Sequence, residues 1–287
     1  MVEIANEALT ARIDPLGAEL VSLCDAQGRQ LMTDADPAFW TGHAPLLFPI
    51  VGRLAGDVLR VDGRTYPMRQ HGFARRRRFE VEAHTADAAI FVLRDDPETL
   101  ASWPFVFELR VRYALSAATL SVEAEVVNRG KEAMPASFGF HPAFAWPLPY
   151  GGARDAHRIR FAHPEPAPIA MLDDGLIAPT LRPSPVDGDT LHLCDALFDR
   201  DALIWLAPES RTVSYGTADG PQIELRFADM PMLAVWTKPG ARFMCIEPWH
   251  GHSDPVGFAG DVWDKPGIVT IGTGEAHRFA MQVTLHR

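Results

Sequence analysis

The chain has 287 residues, of which 47% are hydrophobic, 9% aromatic and 22% charged, a balance that suits a large buried core and argues against disorder. Its net charge is −10, from 27 Lys and Arg against 37 Asp and Glu, which argues against wrapping a nucleic-acid backbone, where affinity comes from cations on phosphates. The opening Met1-Val2-Glu3-Ile4 shows no basic region followed by an apolar stretch, no apolar run approaches the roughly 18 residues of a membrane helix, and Cys24, Cys194 and Cys245 form no CxxC pair, so a reducing, cytoplasmic setting without a signal peptide or membrane partner is expected.

Short runs with period-2 character, separated by turn residues, predict strands from the start. Val2-Glu3-Ile4 and Leu9 to Ile13 come first, and Pro15-Leu16-Gly17 turns the chain. Val58 to Val61 and Thr65 to Met68 flank Asp62-Gly63, a strong hairpin signal. The run Arg75-Arg76-Arg77-Arg78 reads as a solvated strand entry, with alternate arginines on opposite faces. Phe79 to Ala83, Ala89 to Arg94, Phe105 to Leu115 and Leu120 to Val127 then predict a meander. Helix is scarce, and the best candidate is Asp95 to Ala101, with acidic residues and proline in its first turn.

From Pro142 to Pro185 the chain is rich in Pro and Gly and reads as extended surface loops. Strands resume at Thr212 to Tyr215 and Gln222 to Phe227, around Asp219-Gly220, and continue at Leu233 to Thr237, Phe243 to Glu247 and Phe279 to Leu285. No linker or repeat divides the chain. The expectation is one all-β domain over residues 1–287, a large antiparallel sandwich with long loops at one end or over one face.

Polar residues that interrupt apolar strands are the informative ones, because burial without a partner is costly. Arg53 ends Phe48-Pro49-Ile50-Val51-Gly52-Arg53, and Gln70-His71-Gly72-Phe73-Ala74-Arg75 follows closely. His141 lies in Gly139-Phe140-His141-Pro142-Ala143-Phe144, and Glu247 closes a hydrophobic strand before Pro248-Trp249. Each has an ordinary reading as a satisfied core histidine, a strand-end carboxylate or a surface ion-pair partner.

Together these four blocks, in this order and over nearly the whole chain, resemble the aldose 1-epimerase (galactose mutarotase-like) family, and its LacX-like branch in particular. The resemblance implies a β-supersandwich with a shallow, open sugar site, no cofactor and no metal. It implies Glu247 as general base and His141 as general acid. His71 would hydrogen-bond the sugar, Arg53 would anchor hydroxyls, and Asp201, with Asp199 close by, would grip further hydroxyls. Trp249, with Trp40 and Trp236, could stack on the apolar face of a pyranose. The partner expected is a small-molecule sugar, and the protein is expected as a monomer or weak homodimer. Better-known galactose mutarotases carry Asn where this chain has Gly52, and the branch usually has an aromatic residue where this chain has His250.

The implied reaction is interconversion of the α and β anomers of a hexose or related aldose. A proton leaves the C1 hydroxyl while another reaches the ring oxygen, and a carboxylate and a histidine can trade both near neutral pH. Three rivals follow from the residues. One is a non-catalytic sugar-binding or sensing protein on the same fold. Another is a hexose-6-phosphate mutarotase, given the nearby arginines. The third is a metal hydrolase built on His250, His252 and Asp254. A glycoside hydrolase would need two opposed carboxylates, and only Glu247 has a site context.

Overall fold

The computed structural model describes residues 1–287, nearly all in short antiparallel strands and their connections. A nine-stranded sheet runs, edge to edge, Thr190–His192, Arg158–Phe161, Thr212–Gly216, Gln222–Arg226, Ala276–His286, Thr119–Asn128, Phe107–Ser116, Ala88–Arg94 and Glu80–His84. The predicted meander forms its second half, its strands adjacent in reverse chain order. Alternation explains the register. In Phe107–Ser116 the residues Leu109, Val111, Tyr113 and Leu115 are buried, with Arg112 exposed between them and Ser116 exposed after them, so one face must meet a second layer.

That layer is a six-stranded sheet. Leu203–Trp205, Met232–Trp236, Phe243–His250, Phe138–Phe140 and Leu46–Leu47 lie in that order, and Ala143–Ala145 also pairs with Phe243–His250. The inner faces interlock through aromatic residues. Phe138 stacks on Phe279 with ring centroids 5.1 Å apart, and Phe48 lies 5.2 Å from Phe107. The outer face of the six-stranded sheet carries a second, smaller apolar cluster that includes Leu47, Ile204, Ala234 and Trp249, and the functional site lies over this face.

Local signals behave as their chemistry requires. Asp62 and Gly63 take positive φ values of 49° and 75° between the paired strands Val58–Val61 and Arg64–Pro67. The one α-helix is the single turn Pro97–Leu100, capped by Asp96, whose side chain accepts from the backbone N–H of Glu98 and Thr99. Two expectations need correction. The stretch from Pro142 to Pro185 is not all loop: Arg158–Phe161 is an interior strand of the nine-stranded sheet, with Ile159 and Phe161 buried. Four alternating residues between Pro- and Gly-rich segments are too short a run to announce this. Nor does the arginine run enter a strand. Ala74–Arg76 is a 3₁₀ turn and the strand begins only at Glu80, so the four arginines diverge instead of alternating.

Gly72 shows how tightly this corner is built. Its φ is +70°, and a Cβ there would lie 2.2 Å from the backbone oxygen of Phe48, which cannot move aside. Gly72→Ala is expected to cost about 2–5 kcal/mol, from the left-handed backbone and overpacking together. Gly63→Ala, where the Cβ meets nothing within 4 Å, isolates the backbone part at roughly 1 kcal/mol. Urea unfolding midpoints of the two variants check the difference.

Candidate functional site

The site is an open cleft of about 800 Å³ on the outer face of the six-stranded sheet, and its floor is the strand Phe243–His250. Alternation sends Glu247 and Trp249 into the cleft and their neighbour His250 inward. His250 packs against His277 and Phe279 of the nine-stranded sheet, so it does not touch the pocket around Glu247. Small residues make room beside the floor: Ala234 is the cross-strand partner of Glu247, and Gly139 that of Trp249. A Cβ on Gly139 would stand 2.8 Å from the Trp249 ring.

His141 follows directly on the strand Phe138–Phe140, the next neighbour of the floor strand. Its Nε2 lies 3.1 Å from Oε2 of Glu247, and the two residues are only 8% and 1% exposed. The contact is not aligned as a hydrogen bond, so Glu247 Oε2 stays without a partner, and the other ring nitrogen, His141 Nδ1, has none either. Trp40 stacks on the His141 ring at 5.0 Å, and the His71 ring meets it edge-on at 6.0 Å.

Burial governs the protonation of this pair. It pushes the Glu247 carboxyl well above the ordinary carboxylate range, and the negative charge of Asp201 pushes the same way. The Trp249 indole N–H, near but poorly aligned, and the Arg75 cation oppose that shift. Burial also lowers His141 to about 3, with the Arg75 charge adding to the effect. Over a wide pH range the pair therefore holds one proton between its two members, one able to give and the other able to take.

His71 is fixed by its own backbone. Its φ is +64°, an unusual value for a bulky residue, stabilised because its N–H donates to the Gly52 carbonyl at 2.8 Å. In return the Gly52 N–H donates to His71 Nδ1 at 3.1 Å, so the neutral ring carries its proton on Nε2, which sits at the cleft 3.3 Å from the side-chain amide of Gln70. Gly52 itself has φ +74°, and a Cβ there would come within 2.1 Å of Ser253 Oγ and 2.6 Å of Ser253 N. Any side chain at position 52, asparagine included, would displace the Ser253 segment.

That segment is anchored from below. Ser253 Oγ accepts the Arg53 N–H at 3.0 Å, and the Asp254 N–H donates to the Arg53 carbonyl at 2.9 Å. Asp254 Oδ2 accepts the Ala55 N–H at 2.8 Å, while Oδ1 receives Lys265 Nζ at 2.8 Å. The Lys265 ammonium also donates to the His252 carbonyl at 2.6 Å, and the ion pair is fully buried. The grouping of His250, His252 and Asp254 as metal ligands fails on this geometry. His250 faces the core, His252 Nδ1 lies 2.6 Å from the Ser253 carbonyl, and Asp254 already has Lys265 as its cation. Three donor atoms do converge elsewhere: those of His141, Cys245 and Glu247 lie within 4.8 Å of one another, a set that could hold a soft divalent ion.

Arg53 lines the cleft, but its guanidinium is occupied by Asp57 at 2.9 Å and by Asp174 at 3.2 Å. Asp199 and Asp201 both line the opposite side, in the segment before Leu203–Trp205. Asp201 has φ +72°, and its Oδ1 accepts the Ala202 N–H at 2.8 Å. Glu247, His141, His71, Arg53, Asp201 and Trp249 thus all border one cleft. Sequence reasoning missed the hairpin Leu172–Asp173 with Leu176–Ile177, which forms one wall and is tied down by Arg53. The dipeptide Asp174-Gly175, with φ values of 47° and 78°, carried the signal for it.

Comparison with known proteins agrees with this picture. Residues 1–270 match the family model described as Aldose 1-epimerase. Protein LacX (chromosomal) of Lactococcus lactis subsp. lactis is 31% identical, with 99% of each chain covered. A galactose mutarotase-like protein from Lactobacillus casei superposes with a TM-score of 0.92 at 33% identity, covering 100% of both chains. A galactose mutarotase related enzyme from Lactobacillus acidophilus gives 0.91 at 33% identity, over 99% of this chain and 97% of that one.

Proposed function

Because the chain belongs to the aldose 1-epimerase family, we propose that it is a cofactor-independent isomerase interconverting the α and β anomers of a hexose or related aldose. The observation that carries this reading is the direct contact of Glu247 and His141, 3.1 Å apart and buried on the cleft floor. The C1 hydroxyl oxygen and the ring oxygen are both bonded to C1, so two groups in contact can face both. Transfer of the shared proton across that contact gives the Glu247 carboxylate and the His141 imidazolium; Glu247 then takes the proton of the C1 hydroxyl while His141 delivers one to the ring oxygen. The bond from C1 to the ring oxygen breaks as the C1 carbonyl forms, the aldehyde end rotates, and reclosure with the roles exchanged yields the other anomer.

Other residues support the same reading. His71 Nε2–H is a donor to sugar oxygens, and Asp201 and Asp199 are acceptors for hydroxyl protons. Trp249 and the half-buried Trp40 and Trp236 offer aromatic surface to the C–H face of a pyranose. NMR magnetisation exchange between anomers, across free hexoses, their 6-phosphates and pentoses, tests the proposal. The wild type should accelerate exchange for at least one sugar, and His141→Asn should lower kcat by roughly 10²–10⁴-fold, the scale of one general acid. Sugar binding without acceleration would replace the isomerase by a sugar sensor.

A further inference from the structure

The sheet register places one more side chain beside the acid–base pair. Gly139 pairs with Trp249 and Ala143 with Cys245, and midway between these two pairings His141 stands opposite Glu247. Cys245 precedes Glu247 by two residues in the strand Phe243–His250, so both side chains leave the same face of the sheet. Donor atoms of His141, Cys245 and Glu247 consequently lie within 4.8 Å of one another. All three residues are buried, and the two that move protons border the cleft. The anomer reaction does not use Cys245, whose thiol is free. Its packing neighbours Ala143, Ala241 and Phe243 are apolar, and the partly buried Trp40 and Trp236 close over them.

Two features suit this trio to a soft cation. The first is an orphaned ligand atom. Glu247 Oε2 is buried without a hydrogen-bond partner and lies 3.1 Å from His141 Nε2. Left alone such an oxygen costs stability, and a bound cation satisfies it. The second is charge. A thiolate, a carboxylate and a neutral imidazole carry two negative charges, which balance a divalent ion in a buried place. Sulfur and nitrogen select Zn²⁺ or Cd²⁺ over Mg²⁺ and Ca²⁺, which take oxygen shells. Ordinary zinc bond lengths in a tetrahedron put such donors about 3.4–3.6 Å apart, so closing from 4.8 Å takes about 1 Å of side-chain movement. Three protein ligands leave a fourth position for water from the cleft that Glu247 and His141 border.

We propose that His141, Cys245 and Glu247 form an inhibitory site for a soft divalent cation, Zn²⁺ or Cd²⁺, which shuts the cleft down by occupying acid and base together. On binding, the thiol proton and the proton held by the Glu247–His141 pair leave to solvent as three metal–ligand bonds form, and nothing is oxidised or reduced. The ion is an inhibitor and not a cofactor, because it takes the lone pairs that both proton transfers need. Cys245 thereby makes the cleft sensitive to free zinc, which the sugar chemistry does not require. The inhibition rests on the isomerase reading; the ion site itself does not.

The whole chain, stripped of metal, is titrated with Zn²⁺ against a chromophoric chelator and with Cd²⁺ by the ultraviolet absorption of a cadmium–thiolate bond. One equivalent should bind, give the thiolate band and abolish anomer exchange in competition with sugar. Cys245→Ala should exchange anomers like the metal-free wild type and lose the band. Its Zn²⁺ affinity should fall by more than the roughly 10–100-fold that loss of an outer-shell partner costs. If Cys245→Ala unfolds, Cys245→Ser, closer in size, is read the same way. Cys24→Ser and Cys194→Ser, which remove the less buried thiols, should bind as the wild type does. No equivalent able to compete with the chelator, cadmium bound without the band, or zinc bound equally well by Cys245→Ala overturns the site. Exchange that persists with the equivalent bound overturns the inhibition. Cys245-dependent zinc binding by a chain that exchanges no sugar would sink the isomerase and retain the ion site; exchange without any zinc binding would sink the ion site alone.

Discussion

Glu247→Gln is expected to lower kcat for anomer exchange by roughly 10²–10⁴-fold and to raise the stability of the protein, by an amount that grows with pH. The first effect follows from removing the proton acceptor while keeping its shape. The second follows from burial, which together with the charge of Asp201 holds the folded-state pKa of Glu247 above its unfolded value. Between those two values the folded state binds more protons than the unfolded one. The stability associated with this group is therefore complete below the unfolded value and is lost as pH rises through the raised folded value. A neutral glutamine has no such loss.

The difference in Tm between variant and wild type should be small near pH 4 and should widen in favour of the variant towards alkaline pH. A variant less stable at every pH would mean that unrecognised partners satisfy the carboxylate. His141 works in the opposite sense. Its folded value is lowered to about 3, so its contribution is present above the unfolded histidine value and is lost as pH falls towards about 3. A site that holds an unsatisfied acid and an unsatisfied base on one floor sacrifices stability for reactivity, as expected where function requires groups the core would reject.

The second large effect is expected far from the reacting atoms. Lys265→Met should destabilise the protein by about 3–5 kcal/mol, because it leaves the Asp254 carboxylate buried without its cation. Removing both charges in Lys265→Met with Asp254→Leu should recover part of this, since a buried ion pair contributes little net stability over apolar packing. Urea unfolding of the two single variants and the double variant forms a mutant cycle that isolates the coupling. Additive losses would show that the pair is not coupled.

The pair also has a positional role. Asp254 holds the backbone of Arg53 and Ala55, and the Asp254 carbonyl accepts the Ile177 N–H at 2.9 Å from the hairpin over the cleft. The recovered double variant should therefore still exchange anomers with a raised KM, because Ala55 loses its acceptor and the Arg53 wall loosens.

Much of this protein could be read before folding it. Strands such as Phe107–Ser116 declare themselves because their alternation is a property of consecutive residues, and the Asp62-Gly63 turn because left-handed backbone has so few tolerant residues. The strand Arg158–Phe161 escaped because four residues carry too little periodic signal, and its place is decided by neighbours at Thr190–His192 and Thr212–Gly216. The blocks around Arg53, His71, His141 and Glu247 could be chosen from residue type and local context, but Arg53 and Ser253, 200 residues apart, are joined by a hydrogen bond that no spacing foretells. The arginine run shows the limit most plainly. Four identical side chains have no period, so only the 3₁₀ turn and the partners it offers send Arg75 to the cleft and Arg77 to Asp96.

By itself, then, the sequence determined what adjacent residues can decide: strand positions, turns, helix cap and the chemical types available for a site. Which of those side chains share a floor, which are already neutralised and which stay unpaired depended on long-range pairing. Hydrogen-bonded register and burial are set by contacts between distant segments, and the charge state of a buried group follows from those contacts.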